Sequence, residues 1–539
     1  MNRLSAISRR VLLAVIALTV LGFALRLARY QQSLFGDETS TLYLVRGRGF
    51  MEVLSLVSSD KEITPPLYFL LAWLTTQLGS AAELIRLPSL IAGTAVIPLS
   101  YVVGYRMMGR AAGLITATIV TLAPTLIFFS GDGRAYAVTI LLLVGSTAAM
   151  LAAVRTGRTR WWVAYGALSC LAMYGHYTAA FVLVGQLGWL LWAHPQARRP
   201  ALLANVAAAV LYLPWIPWLI ADFDSPTVDV LSALQGTGFA AKRYAVEVWA
   251  IGYPFKSPHD VPGVPAAVIG LAGFLVAVVA ALIRRLRTPR RDDETRRAFD
   301  RGLVLALALL LSAPVLELLM LALTGNDLFG ARNLNVASVG LALTIAGLVV
   351  AAGRIFGAIA LIGVLACFAV GAVSTLQVDT KLPNFEAAAD FIDSTAGPDD
   401  VVVDLLSPRV TPVPLTSLDA YLPQTRPEYR PLLPEGEPPF VGVTPVPPTR
   451  PLLRDAVAAA EGHRLFLVVS DTGLERVGDE AIAILVEPVV PGIGTTVRYE
   501  LPPGSTVVAE RRFEGIGPVN VVAIEPGAPP GDTAPSRPG

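Results

Sequence analysis

The sequence predicts an all-α polytopic membrane domain followed by a small C-terminal α/β domain. Three observations predict it. Of 539 residues, 54% are hydrophobic and only 15% charged, with a mean hydropathy of +0.59, whereas a soluble domain carries about 25% charge. The apolar residues gather into repeated runs of roughly 20, the length that crosses a bilayer as a helix. From about Gln377 these runs stop, and shorter helix-like and strand-like stretches take over.

The N-terminus is basic, with Arg3, Arg9 and Arg10 ahead of an apolar run over 11–25. Arg26 and Arg29 follow at once, no small-residue cleavage site stands out, and more apolar runs come after. The run is therefore expected to be a retained first helix, not a cleaved signal peptide. Spans are expected at 11–28, 84–104, 112–129, 135–154, 161–174, 177–193, 201–221, 264–283, 302–323, 336–352 and 355–375, eleven in all. The run 65–78 is apolar but only 14 residues long, and it opens on Pro65-Pro66, which suits a helix start.

Charge decides where 65–78 goes, because Lys and Arg prefer cytoplasmic loops. If it does not cross, Arg106, Arg110, Arg155, Arg158, Arg160, Arg198, Arg199, the cluster over 284–297 and Arg354 all fall inside. If it crosses, they all fall outside. The run is thus expected to lie juxtamembrane or half-inserted on the outer face of a multi-pass plasma-membrane protein. The N-terminus is then cytoplasmic and the C-terminal domain extracytoplasmic. The expected division is a membrane domain over 1–375, an α/β domain over 376–525 and a disordered tail over 526–539. In the α/β domain, 384–394 reads as an amphipathic helix, and 400–405 and 465–469 read as buried strands. An insertion over 407–451 has 13 prolines in 45 residues, which excludes regular structure.

Composition also excludes classes of function. A net charge of +1 leaves no nucleic-acid footprint. The two cysteines, Cys170 and Cys367, sit singly inside apolar runs and make neither a disulfide framework nor a metal cluster. No internal repeat is visible, which weighs against a transporter of two homologous halves.

The residues with chemical potential fall on the expected outer side. Asp37 and Glu38 follow the first span closely. They read either as a solvated acidic pair at a helix N-terminus or as a general base whose pKa is tuned at a low-dielectric edge. Arg134, in Ser130-Gly131-Asp132-Gly133-Arg134-Ala135-Tyr136, begins a span on the side that disfavours positive charge. It is either a snorkelling arginine or a bidentate phosphate clamp. The same choice holds for Arg332 in Ala331-Arg332-Asn333. His176, in Tyr174-Gly175-His176-Tyr177, is a packed polar residue or a group that orients a phosphate or holds a metal. Glu62, just before Pro65-Pro66, is a further carboxylate at the same mouth, and His194 lies in an inner loop.

In order, these motifs are Asp37-Glu38, Pro65-Pro66-Leu67-Tyr68, Arg134-Ala135-Tyr136, His176-Tyr177 and Arg332-Asn333. The series resembles the GT-C superfamily of polyprenyl-phosphate-sugar-dependent glycosyltransferases, in particular its bacterial branch near the protein O-mannosyltransferases and aminoarabinose transferases. The resemblance covers roughly residues 1–340. It implies that Asp37 is the catalytic carboxylate with Glu38 beside it, and that Arg134, Arg332 and Tyr136 bind the donor phosphate. Glu62, His176, Tyr177 and Asp132 would surround them. It implies a lipid-linked donor carrying mannose or arabinose, an acceptor that is a glycan, lipid or protein of the cell envelope, and inverting transfer. No nucleotide-binding glycine loop is present; no cofactor is implied for certain, and the motifs leave a divalent metal open. The chain departs from the family pattern at Asp132-Gly133, where Glu-Ala is usual, and at Gly175, where Thr is usual. Two rival functions make different demands. A lipid flippase or transporter needs ionisable groups within spans, of which Glu317 is the clear case. A non-catalytic scaffold needs no clustering of Asp37, Arg134, His176 and Arg332.

Overall fold

A computed structural model describes residues 8–59, 62–225, 228, 232, 236, 238–287, 294–405, 416–422, 456–469, 474–477, 481–486 and 497–527. Lys61, most of the proline-rich insertion and the tail beyond Gly527 lie outside the described residues. The chain forms two compact units. One comprises Met1–Gln31 with Gly47–Gln377; the other joins Gln32–Arg46 to Val378–Gly539. The segment after the first helix, expected to belong with the membrane domain, groups instead with the C-terminal unit.

The first unit is helical, and the chain is a multi-pass membrane protein. Among the described residues, eight helices are long and apolar enough to cross a bilayer. They are Arg9–Tyr30, Ala82–Met108, Tyr136–Thr156, Pro195–Phe223, His259–Arg287, Glu294–Thr324, Ala331–Ala352 and Arg354–Ser374. Their outer faces are apolar: Leu12, Leu13, Ile16 and Val20 on the first, and Leu271, Leu275 and Val279 on Val264–Arg287, are exposed. An apolar helix that keeps an apolar exposed face is matched to lipid, not water. Small residues close the packing inside. A methyl group on Gly273 would lie 2.8 Å from the Ala360 carbonyl oxygen and 3.2 Å from Gly363 Cα, so the two helices meet backbone to backbone.

Three of the eleven expected spans do not form as single long helices. Thr159–Gly175 and Ala179–Ala193 form as expected but are 17 and 15 residues long, at and just below the short end of the range of about 17–25 residues for a spanning helix. The expected span 112–129 is not one helix. Arg110–Leu122 and Pro124–Ser130 meet at an angle of 63°. Proline causes the break: its ring pushes Ala123 to extended backbone (φ −63°, ψ 117°) and supplies no N–H for the Val120 carbonyl. Arg26, fully buried in the first helix, takes over. Its guanidinium donates to the Val120 oxygen at 3.0 Å, the Thr121 oxygen at 3.4 Å and Ser130 Oγ at 3.1 Å. With the pair counted as one span, nine helices qualify. Leu67–Thr76 is a ten-residue helix, roughly 15 Å long, about half of the hydrocarbon thickness.

Among the described residues of the second unit, seven strands form two sheets. β1 (Val401–Asp404), β2 (Leu465–Val469), β6 (Thr506–Phe513) and β7 (Val519–Glu525) make a mixed sheet in the order β1-β2-β7-β6, with β1 and β2 parallel and the other pairs antiparallel. β3 (Leu474–Val477), β4 (Ala481–Val486) and β5 (Val497–Glu500) form an antiparallel sheet. Helix Phe385–Thr395, capped by the Asn384 side chain accepting from the Ala387 N–H at 3.1 Å, lays Phe385, Ala388 and Ile392 against Phe466, Val468 and Val521. Leu465, Leu467, Val522 and Ile524 fill the opposite face. Strands buried on both faces carry unbroken apolar runs, which is why LFLVV was legible as a strand.

Candidate functional site

The acidic pair belongs to the second unit. Gly36, in the left-handed region at φ 61°, turns the chain into helix Asp37–Val45, so both carboxylates sit in a first turn where exposed N–H groups favour negative charge. Their environments differ. Glu38 is buried and accepts from the Phe35 N–H at 3.3 Å, whereas Asp37 is half-buried. The segment is anchored within its own unit: the Leu34 N–H donates to the Tyr421 hydroxyl at 2.6 Å and the Glu386 N–H to Ser33 Oγ at 2.7 Å.

In the first unit, the loop between the bent pair and Tyr136–Thr156 carries Asp132 and Arg134. Gly131 allows the loop to press against the first helix; a methyl group there would lie 2.5 Å from Arg29 Cγ. Tyr68, at the start of Leu67–Thr76, donates to the Ile85 oxygen at 2.8 Å and contacts Ser89 Oγ at 2.9 Å. Ser89 in turn donates to the Arg134 backbone oxygen at 3.1 Å. The Pro-Pro-Leu-Tyr helix therefore fixes the backbone on which Arg134 stands.

The Arg134 side chain is engaged. Its two terminal nitrogens meet the Glu62 carboxylate at 2.7 and 3.0 Å, one also donates to Thr64 Oγ1 at 3.1 Å, and the guanidinium lies 5.5 Å from the Phe69 ring centroid. The fork assigned to a phosphate holds a buried carboxylate in the same bidentate manner. A phosphate reaching Arg134 has to share it with Glu62 or displace it.

His176 stands between Thr159–Gly175 and Ala179–Ala193. Its Nδ1 is 2.9 Å from Thr178 Oγ1, and its ring lies 5.3 Å from that of Tyr136. Burial, then the Arg134 and Arg332 guanidiniums, push its pKa from 6.5 down to about 3, so the imidazole is neutral at physiological pH. Tyr177 donates to the Asp222 carboxylate and accepts from Trp215 Nε1, the latter at 3.0 Å.

The first unit thus brings together Arg134, Glu62, Tyr136, His176 and, through the field it exerts on His176, Arg332; Asp132 is buried in the same loop. Asp37 and Glu38 are described by themselves in the other unit. Sequence reasoning missed Asp222, Trp215 and the pairing of Glu62 with Arg134. Their partners lie 38 to 72 residues away in sequence, beyond any local periodicity. Among the described residues, no three His, Cys, Asp or Glu side chains are grouped to hold a metal ion.

Residues 64–218, which include Tyr68, Arg134, Tyr136, His176 and Tyr177, match the family model described as dolichyl-phosphate-mannose-protein mannosyltransferase. No curated protein sequence matches the chain. Among solved structures, the chain is similar to the archaeal oligosaccharyltransferase AglB from Archaeoglobus fulgidus in complex with an inhibitory peptide and a dolichol-phosphate (12% or less identity across its forms, here 11%; 85% of this chain and 69% of that chain; TM-score 0.48). It is also similar to ArnT from Cupriavidus metallidurans bound to undecaprenyl phosphate (15% identity, 96% and 98% coverage, TM-score 0.41). A third similarity is to the S. cerevisiae protein O-mannosyltransferase Pmt1-Pmt2 complex bound to the sugar donor (15% identity, 48% and 38% coverage, TM-score 0.31). Over residues 64–218 the chain carries the sequence pattern of a mannosyltransferase family, and on that stretch the GT-C glycosyltransferase resemblance read from its motifs stands.

Proposed function

We propose that the chain is a membrane glycosyltransferase that moves a sugar, mannose or arabinose, from a polyprenyl-phosphate donor to a cell-envelope acceptor on the outer face. The observation that carries this is that the stretch matching the mannosyltransferase family contains Arg134, Tyr136 and His176, and that these converge with Glu62 in one largely buried polar cluster. Asp37 takes the proton from the acceptor hydroxyl. The acceptor oxygen bonds to the anomeric carbon as its bond to phosphate breaks, with inversion. The polyprenyl phosphate leaves with its charge countered by Arg332 and by Arg134 once Glu62 yields part of its hold. Such fixed charges aimed at a leaving group supply much of the barrier reduction in reactions of this type.

Purified protein in liposomes, given polyprenyl-phosphate mannose or arabinose with envelope extract as acceptor, tests the proposal. Asp37→Asn is nearly isosteric but takes no proton at neutral pH, so transfer is expected to vanish while folding persists. Near-normal turnover by Asp37→Asn removes it as the base and leaves Glu38. Arg134→Lys keeps the charge but loses the planar fork. It is expected to raise the donor KM about tenfold or more, as loss of one charge-assisted hydrogen bond does; an unchanged donor KM makes Arg134 a structural partner of Glu62 only. The rival flippase has one observation in its favour. Glu317 is buried within helix Glu294–Thr324, and neither carboxyl oxygen has a hydrogen-bond partner among the described residues. Transfer of labelled sugar without movement of the lipid between leaflets excludes that rival.

A further inference from the structure

Arg332 sits in the first turn, Ala331–Leu334, of the helix Ala331–Ala352, at the end of a loop that starts at Gly325. That turn follows directly on the loop, so the placement of its side chains depends on how the loop is held. Its backbone is braced internally: the Phe329 N–H donates to Asp327 Oδ1 at 3.2 Å and Asn333 Nδ2 to the Leu328 oxygen at 2.7 Å. Asp327 ties it to the rest of the unit, beside the packing of Phe329 in the core. The Asp327 N–H donates to Ser232 Oγ at 3.0 Å, and its carboxylate forms an ion pair with Lys242 of helix Phe239–Ile251. Lys242 also lies over the Phe329 ring, 5.7 Å from the centroid, and its Nζ donates to the Gly236 oxygen at 3.3 Å. Both members of the pair are largely buried, with side chains 15% and 10% exposed. One lysine thus grips the loop twice, by charge at Asp327 and by its face on Phe329, five and three residues before Arg332.

We propose that Lys242 is a positioning residue for Arg332. By holding Asp327 and Phe329 it fixes where the Arg332 guanidinium presents its charge to the donor phosphate. The proposal rests on the donor-phosphate role given to Arg332 above. Glu317 sharpens it. This second buried carboxyl is acted on electrostatically by both Lys242 and Asp327, yet has no hydrogen-bond partner among the described residues. One lysine therefore has two carboxyls within its field and is bonded to one of them. Removing Asp327 leaves Lys242 free to turn to Glu317 and away from the loop, so Asp327→Asn is expected to do at least as much damage as Lys242→Ala.

The test uses the full-length protein with a polyprenyl-phosphate sugar, measuring donor KM, acceptor KM and kcat for Lys242→Ala, Lys242→Arg, Asp327→Asn, the exchanged pair Lys242→Asp with Asp327→Lys, and Arg332→Ala. Displacement of a binding group by about 1 Å costs up to a hundredfold. Lys242→Ala and Asp327→Asn are expected to raise donor KM at least tenfold with acceptor KM unchanged; Lys242→Arg and the exchanged pair are expected to recover most of that loss. Amide exchange over 325–330 is expected to quicken in Lys242→Ala while the spanning helices keep their protection, a readout that needs no activity. If Arg332→Ala raises donor KM and Lys242→Ala does not, the positioning role is overturned and the phosphate role survives. If Arg332→Ala leaves donor KM unchanged, the phosphate role of Arg332 falls, and with it this proposal. Faster exchange throughout Lys242→Ala would make the pair a general stabiliser and overturn the specific role.

Discussion

His176 shows how much one side chain can record of its surroundings. It lies where two guanidiniums and burial all oppose a positive charge, so the folded protein keeps it neutral down to about pH 3. The unfolded chain takes up that proton near pH 6.5. Between the two values the unfolded state binds more protons, so acidification through this window weakens the fold, by at most about 1.4 kcal/mol per pH unit for a single group; above pH 6.5 the residue contributes no pH dependence. His176→Gln is therefore expected to flatten the fall in thermal stability from pH 6.5 to 4 in detergent. An identical slope in the variant and the parent would mean that the ring is not held neutral. The identity of His176 was plain in the sequence, but its charge state was not, because Arg134 and Arg332 lie 42 residues before it and 156 after it in the chain.

At the scale of elements, the bent pair is the clearest case of local chemistry read incompletely. Pro124 was visible, and so was the apolar run around it, but the run alone suggested one continuous span. The missing information was Arg26, which lies almost a hundred residues earlier and accepts the task of bonding the carbonyl that proline orphans. An arginine inside a span usually marks a function. Here its donors go to Gly22, Val120, Thr121 and Ser130 of its own unit, so the structural role accounts for it. Arg26→Met is expected to leave the Val120 carbonyl buried without a partner, a loss of about 1–3 kcal/mol. Adding Pro124→Ala restores an N–H at the position that carbonyl needs, and should return part of the stability. Thermal unfolding of the two variants decides it; no recovery in the double variant would refute the account of the break. The spans, the amphipathic helix 384–394 and the two buried strands were legible because each depends on residues adjacent in sequence. The Glu62–Arg134 and Lys242–Asp327 pairs were not, because each depends on the tertiary fold.

For the whole molecule, topology can be tested with little background, since Cys170 and Cys367 are both buried. Cysteines introduced at Met51 and Val508, both exposed, are expected to react with an impermeant maleimide in intact cells. One at Arg158, exposed between Tyr136–Thr156 and Thr159–Gly175, is expected to react only after permeabilisation. Labelling of Arg158→Cys in intact cells would invert the orientation derived from the basic loops.

One feature of the second unit constrains that experiment more tightly than charge does. Residues 32–46 and 378–539 fold as a single compact body, so both stretches lie on the same face of the bilayer. The chain between them must then cross an even number of times. Seven long helices and the bent pair make eight crossings between these stretches, and Thr159–Gly175 with Ala179–Ala193 makes ten; both totals have the required parity. A crossing by Leu67–Thr76 alone would break it. With the bent pair crossing, parity is met when that helix does not span by itself, a condition that makes no reference to any lysine or arginine. It also requires Met51→Cys and Val508→Cys to label together whichever way the protein is inserted.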